Sequence, residues 1–207
     1  MLDLKWVGPG LKILDFDTET RPITYLGSDF TTGEPTALAW GFAHEGRRGI
    51  RCYAVSHEGH KGIDQRREML EAFHVAYDEA DVVTGHYIRG FDLPVIMGAM
   101  LDAGLPPLSD KLTIDTKQDL LKRKYVSASQ ESLGAMLGLK APKVPMDQIK
   151  WRSANRFTPE GVTLTRRRVV GDVVQHMELR RKLTDMGWLT PPRMWTGSGN
   201  IEGGYVP

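Results

Sequence analysis

The chain has 207 residues, 41% hydrophobic and 26% charged, which supports one domain with an adequate core and excludes a wholly disordered polymer. A formal net charge of +1 gives no compositional sign of a polyanion partner, although Lys122-Arg123-Lys124, Arg166-Arg167-Arg168 and Arg180-Arg181-Lys182 concentrate positive charge locally. The single cysteine, Cys52, excludes an internal disulfide or a cysteine-based zinc site; with no signal-peptide run in residues 1–6 and no membrane-length apolar run, a cytoplasmic protein without a membrane partner is expected.

In chain order, residues 11–17 read as a buried strand preceded by the turn residues Gly8-Pro9-Gly10. Residues 36–43 and 50–55 read as two further strands joined by the turn-rich 44–49, a three-stranded antiparallel start. Residues 64–78 carry helical periodicity in Met69, Leu70, Phe73, Ala76 and Tyr77, and 81–85 form a short strand. A helix is expected over 91–103, with Pro94 tolerated in its first turn, and a fifth strand over 112–114. Helices follow over 116–124 and 130–137, the latter capped by Ser129. Residues 140–160 are Pro-punctuated and read as a long loop, and 164–186 as the longest helix. From Leu189 onward, Pro191-Pro192 and the Gly-rich residues 197–199 suggest a loosely packed tail, so the expected organisation is a domain over 1–188 and a tail over 189–207. The pattern βββαβαβα predicts an α/β fold with a mixed five-stranded sheet flanked by helices.

Chemistry concentrates in carboxylates. Strand alternation puts Asp17 and Glu19 on one face at the end of the first strand, where two acids repel unless a cation neutralises them. Hard divalent cations need several oxygen ligands, so further acids must converge. Asp92, in Phe91-Asp92-Leu93-Pro94 at a strand-to-helix transition, is one candidate, although an Asp before a Pro-initiated helix is also a common cap. Asp172 is the other: it shares a helical stripe with His176, Leu179 and Leu183, and a stripe continuing into apolar residues is not a solvent face.

Together these segments resemble the DEDD (DnaQ-like) 3′–5′ exonuclease superfamily, which has an RNase H-like fold and includes proofreading domains of DNA polymerases and several ribonucleases. Asp17-Thr18-Glu19-Thr20 matches the first motif, Gly85-His86 through Phe91-Asp92-Leu93-Pro94 looks like the second, and Gly171-Asp172-Val173-Val174 occupies the place of the third. Ile114-Asp115-Thr116 and residues 132–139 also resemble connecting segments of that family. The overall character is similar to small stand-alone bacteriophage exonucleases, for which the compartment would be the host cytoplasm. The resemblance implies that Asp17, Glu19 and Asp172 hold one Mg²⁺ or Mn²⁺, that Asp17 bridges to a second ion, and that Asp92 acts largely through water. It further implies in-line attack of a metal-activated water on the terminal phosphodiester, releasing nucleoside monophosphates.

Two positions depart from the pattern. The family carries a Tyr four residues, or a His five residues, before the last Asp; here Arg168 and Arg167 stand there. Arg168 is placed to pair with Asp172 or to hold the scissile phosphate, but a guanidinium cannot be a general base. His176, one turn beyond Asp172, is the candidate base, or else a structural histidine. Tyr87 stands where the family often has Asn, and with His86 and Arg168 it completes the candidate substrate contacts. Trp40, Phe42, Tyr125 and Trp151 are further candidate stackers, and Lys143, Lys150, Arg152 and Arg156 of the 140–160 loop are candidates to flank the strand. The implied partner is the 3′ end of single-stranded DNA, with RNA as the alternative, and a DNA polymerase served in trans as a second candidate partner. The competing readings are an RNase H-fold endonuclease and a catalytically weak nucleic-acid-binding or polymerase accessory module.

Overall fold

In β1 (Ile13–Pro22), every second side chain faces the same side, and the two faces have different composition. Leu14 and Phe16 enter a large apolar cluster with Leu38, Trp40, Leu70, Phe73, Tyr77, Ile96 and Met100. On the opposite face Ile13 meets Leu179 and Leu183, and the next odd-numbered residues are the acids Asp15, Asp17 and Glu19. The computed structural model describes residues 10–23, 32–141 and 143–197; the expected turn at residues 8–9 and the tail from 198 lie outside the described residues.

β1 is central in a six-stranded sheet of order β3-β2-β1-β4-β5-β6. β2 (Gly33–Phe42) pairs antiparallel with β1, and β3 (Arg51–Ala54) antiparallel with β2. β4 (Val82–Gly85) runs parallel to β1, and β5 (Lys111–Asp115) parallel to β4. The helices α1 (Gly59–Glu79) and α2 (Asp92–Asp102) bury Phe73, Tyr77, Ile96 and Met100 against the Phe16 face. The other face is covered by α3 (Gln130–Met136) and by the long α5 (Pro159–Asp185), through Leu133, Leu179, Leu183, Val169 and Val173. α4 (Gln148–Asn155) packs on α5. This mixed α/β sheet with helices on both faces is consistent with the RNase H-like layout expected from the sequence. No helix among the described residues is long and apolar enough to cross a membrane.

Three segments depart from expectation. The sheet has six strands rather than five, because residues 193–195 of the supposed tail form β6 (Arg193–Trp195), antiparallel to β5. The strand begins directly after Pro191-Pro192, and Trp195 is buried in the main core. Residues 116–124 are not helical. Asp115 accepts the amides of Lys117 and Gln118 at 3.0 and 3.1 Å as a helix cap would, but Leu121 then donates its amide to the Trp188 carbonyl at 3.0 Å and the Asp119 carbonyl accepts the Thr190 amide at 2.9 Å, so the bonds that would continue a helix are made to residues 188–190. Within 140–160, Asp147 caps the amide of Lys150 at 2.9 Å and starts α4, and Thr158 caps Gly161 at 3.1 Å to start α5.

Two arginines organise buried charge. Arg21, at the end of β1, binds Glu34 at 2.5 Å, Glu58 at 2.5 Å and the Asn155 carbonyl at 3.0 Å, with its guanidinium 4.3 Å from the Phe157 ring centroid. Arg180, inside α5, makes a two-pronged pair with the fully buried Asp15, 2.8 Å to each carboxylate oxygen. Burial alone would raise the Asp15 pKa, but Arg180 and His176 more than offset it and hold the carboxyl below its ordinary value. That contribution to stability is therefore present above the ordinary carboxylate pKa and lost as pH falls through the lower folded value. Arg180→Ala should destabilise the fold by about 3–5 kcal/mol, because it leaves an uncompensated buried charge. Removing both charges in Asp15→Leu/Arg180→Met should recover most of that loss, as read from urea unfolding midpoints. Simple addition of the two single-variant losses would show that the charges do not compensate each other.

Candidate active site

Asp17, Glu19 and Asp172 each offer a carboxylate oxygen, and these atoms all lie within 4.8 Å of one another. Their convergence follows from the way β1 and α5 lie together. The odd-numbered side chains of β1 face α5, on which Arg168, Asp172, His176 and Arg180 recur every fourth residue and form one stripe. Asp15 meets Arg180 and His176 at one end of this seam, and Glu19 meets Arg168 at the other, with Nε–Oε1 at 2.5 Å. Arg168 also lies 3.8 Å from Asp172 Oδ2, donates to the Val144 carbonyl at 2.8 Å and stands 5.2 Å from the Trp151 ring centroid.

The fourth acid comes from the other side of β1. Asp92 is the first residue of α2 and is buried; its Oδ1 accepts the Thr18 amide at 3.2 Å, which docks it beside Asp17 and Glu19. The loop leading to it is fixed by Asp115, whose carboxylate accepts the amides of Tyr87 at 2.9 Å and Arg89 at 3.1 Å. Gly85, at the turn into this loop, has no room for a side chain: an added Cβ would lie 2.8 Å from the Phe16 carbonyl oxygen.

Four carboxylates packed this closely resist ionisation. Burial, then Asp92, Asp172 and Glu19, push Asp17 well above its ordinary pKa. Burial raises Glu19 to about 7 despite Arg168, and burial raises Asp92 to about 7 despite the Thr18 amide. Asp172 is raised by burial, with Lys143 and Arg168 opposing. Asp172 Oδ1 is buried and has no hydrogen-bond partner among the described residues, whereas Oδ2 faces Lys143 Nζ at 3.3 Å. A buried carboxylate oxygen left unpaired costs about 1–3 kcal/mol or more, and an all-oxygen cluster of this kind suits a hard divalent cation. The donor set thus fits Mg²⁺ or Mn²⁺.

The other candidates divide. Arg168 joins the acids directly. His176 does not: it is buried, its Nε2 lies 3.0 Å from Thr84 Oγ1 and 3.3 Å from Asp15 Oδ1, and Nδ1 lies 3.5 Å from Thr116 Oγ1. Both ring nitrogens have partners inside the core, on the rung beyond Asp172. His86 Nδ1 lies 3.0 Å from Thr116 Oγ1, and burial depresses its pKa to about 3, so the ring is neutral at working pH. Tyr87 is exposed, in a left-handed backbone conformation with φ 73°, and Lys117 Nζ lies 3.8 Å from its ring centroid. Trp40 and Phe42 are core residues. Lys143, anticipated only as a loop cation, stands in the site beside Asp172. Asp115 and Gln130, whose Nε2 donates to the Asp172 carbonyl at 2.9 Å, are supports whose signal was limited to an Asp at a strand end and a polar residue at a helix start.

No family model matches the chain, and no curated protein matches it. Among solved structures it is similar to the family B DNA polymerase from the hyperthermophilic archaeon Pyrobaculum calidifontis, with a TM-score of 0.57 and 17% identity, covering 84% of this chain and 25% of the polymerase. The chain thus corresponds to a quarter of that polymerase's length, and at this identity the likeness establishes the α/β fold.

The raised pKa values set a pH dependence. The folded protein holds more protons than the unfolded chain between the ordinary carboxylate range near about 4 and about 7, so metal-free stability should fall as pH rises through that window. Asp17→Asn should shrink the fall, and Mn²⁺ should raise the unfolding temperature most at the upper end. Calorimetry across this pH range checks it; a stability that rises with pH there, in wild type and variant alike, would contradict the shared strain among these acids.

Proposed function

We propose that the chain is a divalent-metal-dependent 3′–5′ exonuclease acting on single-stranded nucleic acid, DNA in preference to RNA. The observation that carries this reading is the convergence of Asp17, Glu19 and Asp172 around a buried Asp172 oxygen that has no partner among the described residues, with Asp92 docked behind them. The four acids belong to the three motifs that resemble the DEDD superfamily. The likeness to a quarter of a DNA polymerase supports the same reading, because that superfamily includes polymerase proofreading domains.

Asp17, Glu19 and Asp172 would hold Mg²⁺ or Mn²⁺, with two ions expected, and Asp92 would contribute through water. When bound, such ions lower the pKa of a coordinated water and stabilise the attacking and leaving oxygens of an in-line displacement. The chain's own groups supply orientation and charge. Arg168 and Lys143 are the side-chain cations nearest the acids, suited to hold a phosphate oxygen. Arg168 is permanently protonated and takes no proton. His176, bonded to Thr84 and close to Asp15, acts as a support that keeps α5 against β1 rather than as the base.

The test uses 5′-labelled single-stranded DNA and RNA with Mn²⁺, Mg²⁺ or EDTA. A ladder shortening one nucleotide at a time from the 3′ end is expected, abolished by EDTA. Asp17→Ala and Asp172→Asn should lower the rate by more than the roughly 10–100-fold seen when a residue merely supporting a metal ligand is lost, while circular dichroism stays native. Internal cuts would replace this reading with an endonuclease, and no cleavage of either polymer would leave a binding module.

A further inference from the structure

The segment between β5 and α3, residues 116–129, leaves the sheet and returns to it at the candidate site. Its first stem is held by Asp115 and by the Thr116 amide, which donates to the Gly85 carbonyl at 3.1 Å. Its far end runs into Gln130, bonded to the Asp172 carbonyl. His86 lies at the base of the loop, where its ring bonds Thr116 Oγ1 at 3.0 Å on one stem and faces the Ala128 backbone on the other. Partway along, Leu120 bridges to Leu189 and Leu121 donates to Trp188, which leaves residues 122–126 as the tip.

The tip does not have the chemistry of a folding element. Tyr125 is fully exposed, although its backbone is left-handed with φ 60°, a conformation that is uncommon for a bulky residue. Lys122 and Lys124 are exposed, and neither they nor Arg123 has a carboxylate within ion-pair distance among the described residues. Asp119, the one acid in residues 116–129, is buried and paired with Arg89 and Arg193. At the first stem the exposed Lys117 covers the ring of Tyr87, on the loop that carries Asp92. Uncompensated cations interleaved with exposed rings are the composition of a single-strand track: the cations meet phosphates and the rings offer stacking faces to any base.

We propose that residues 117–126 form a gripping site for single-stranded nucleic acid, in which Tyr125 stacks on a base upstream of the 3′ end while Lys122 and Lys124 contact internucleotide phosphates. The proposal rests on the nucleic-acid reading above and adds to it a binding element outside the carboxylate centre. His86 is a positioning residue of this element, since it joins the two stems.

The experiment measures fluorescence anisotropy of labelled oligothymidylate in EDTA, together with metal-dependent hydrolysis of the oligonucleotide and of p-nitrophenyl thymidine 5′-monophosphate, which has no upstream nucleotides. Tyr125→Asn removes the ring yet tolerates the left-handed backbone, so the loop keeps its path. It should weaken oligonucleotide binding roughly tenfold, whereas Tyr125→Phe should bind like wild type. Lys122→Ser/Lys124→Ser should flatten the salt dependence of log K by about 0.7 per lost contact. None of these variants should alter hydrolysis of the nitrophenyl ester. If the wild type cuts both substrates and all loop variants bind and cut the oligonucleotide like wild type, the grip is overturned and the nuclease reading stands. If the loop variants weaken binding in a protein that cuts neither substrate, the grip is supported and the nuclease reading falls.

Discussion

A strand advances about 6.6–6.8 Å every two residues and a helix about 6 Å every four, and the candidate site depends on that near-equality. Because α5 lies along β1 in the opposite direction, the odd-numbered side chains of the strand and every fourth side chain of the helix remain in step for several rungs. Asp15 meets Arg180 and His176, Asp17 and Glu19 converge with Asp172, and Glu19 meets Arg168. The packing that holds this register is apolar: Ile13 with Leu179 and Leu183 below the acids, and Ala37 and Ala39 with Val169 and Val173 beside them. Small residues on β2 let the helix approach the sheet closely enough for short side chains to touch.

Charge balance differs along this seam, and the difference separates scaffold from site. At the Asp15 end a fully buried carboxylate is matched by a guanidinium bonded to both its oxygens, so the rung is electrostatically closed. Two rungs on, four acids share Arg168 and Lys143, and among the described residues one buried oxygen of Asp172 has no partner. A fold stabilised by the first arrangement tolerates the second because the excess charge is relieved by protonation or by a cation, as the upward pKa displacements of Asp17, Glu19, Asp92 and Asp172 indicate.

Much of this was legible in the sequence, and the exceptions share a cause. The strand pattern, the cap at Ser129, the long helix and the four acids all declare themselves through local periodicity or through side-chain types that are costly to bury. What was hidden depends on partners far away in the chain. Residues 116–124 have helical composition, but the Trp188 carbonyl and the Thr190 amide claim the backbone groups of Leu121 and Asp119 that would continue a helix. β6 follows two prolines and is recognisable only through the edge of β5 that it covers. Lys143 lies in a Pro-punctuated stretch with no periodicity, and its place beside Asp172 is set by the docking of α4 and the Val144 carbonyl on Arg168. The partner of Asp15 is Arg180, 165 residues away, a pairing that no local pattern signals. His176 lies on the same stripe as Asp172, but its contacts to Thr84, Thr116 and Asp15 come from distant parts of the chain.

Position 168 shows how far the register constrains chemistry. Any residue four before Asp172 lies on the same helical stripe, so the helix period alone directs it toward Glu19 and the site. A tyrosine there would present a hydroxyl that could orient a water. The arginine instead presents a fixed positive charge, bonded to Glu19 and leaning on Trp151 and the Val144 carbonyl. Arg168 is therefore a charge-compensating group and not a proton-handling one. It also links the acid cluster physically to α4 and to the segment before it. In this protein one guanidinium therefore offsets the charge of Glu19 and Asp172 and at the same time anchors the chain around Val144 and Trp151.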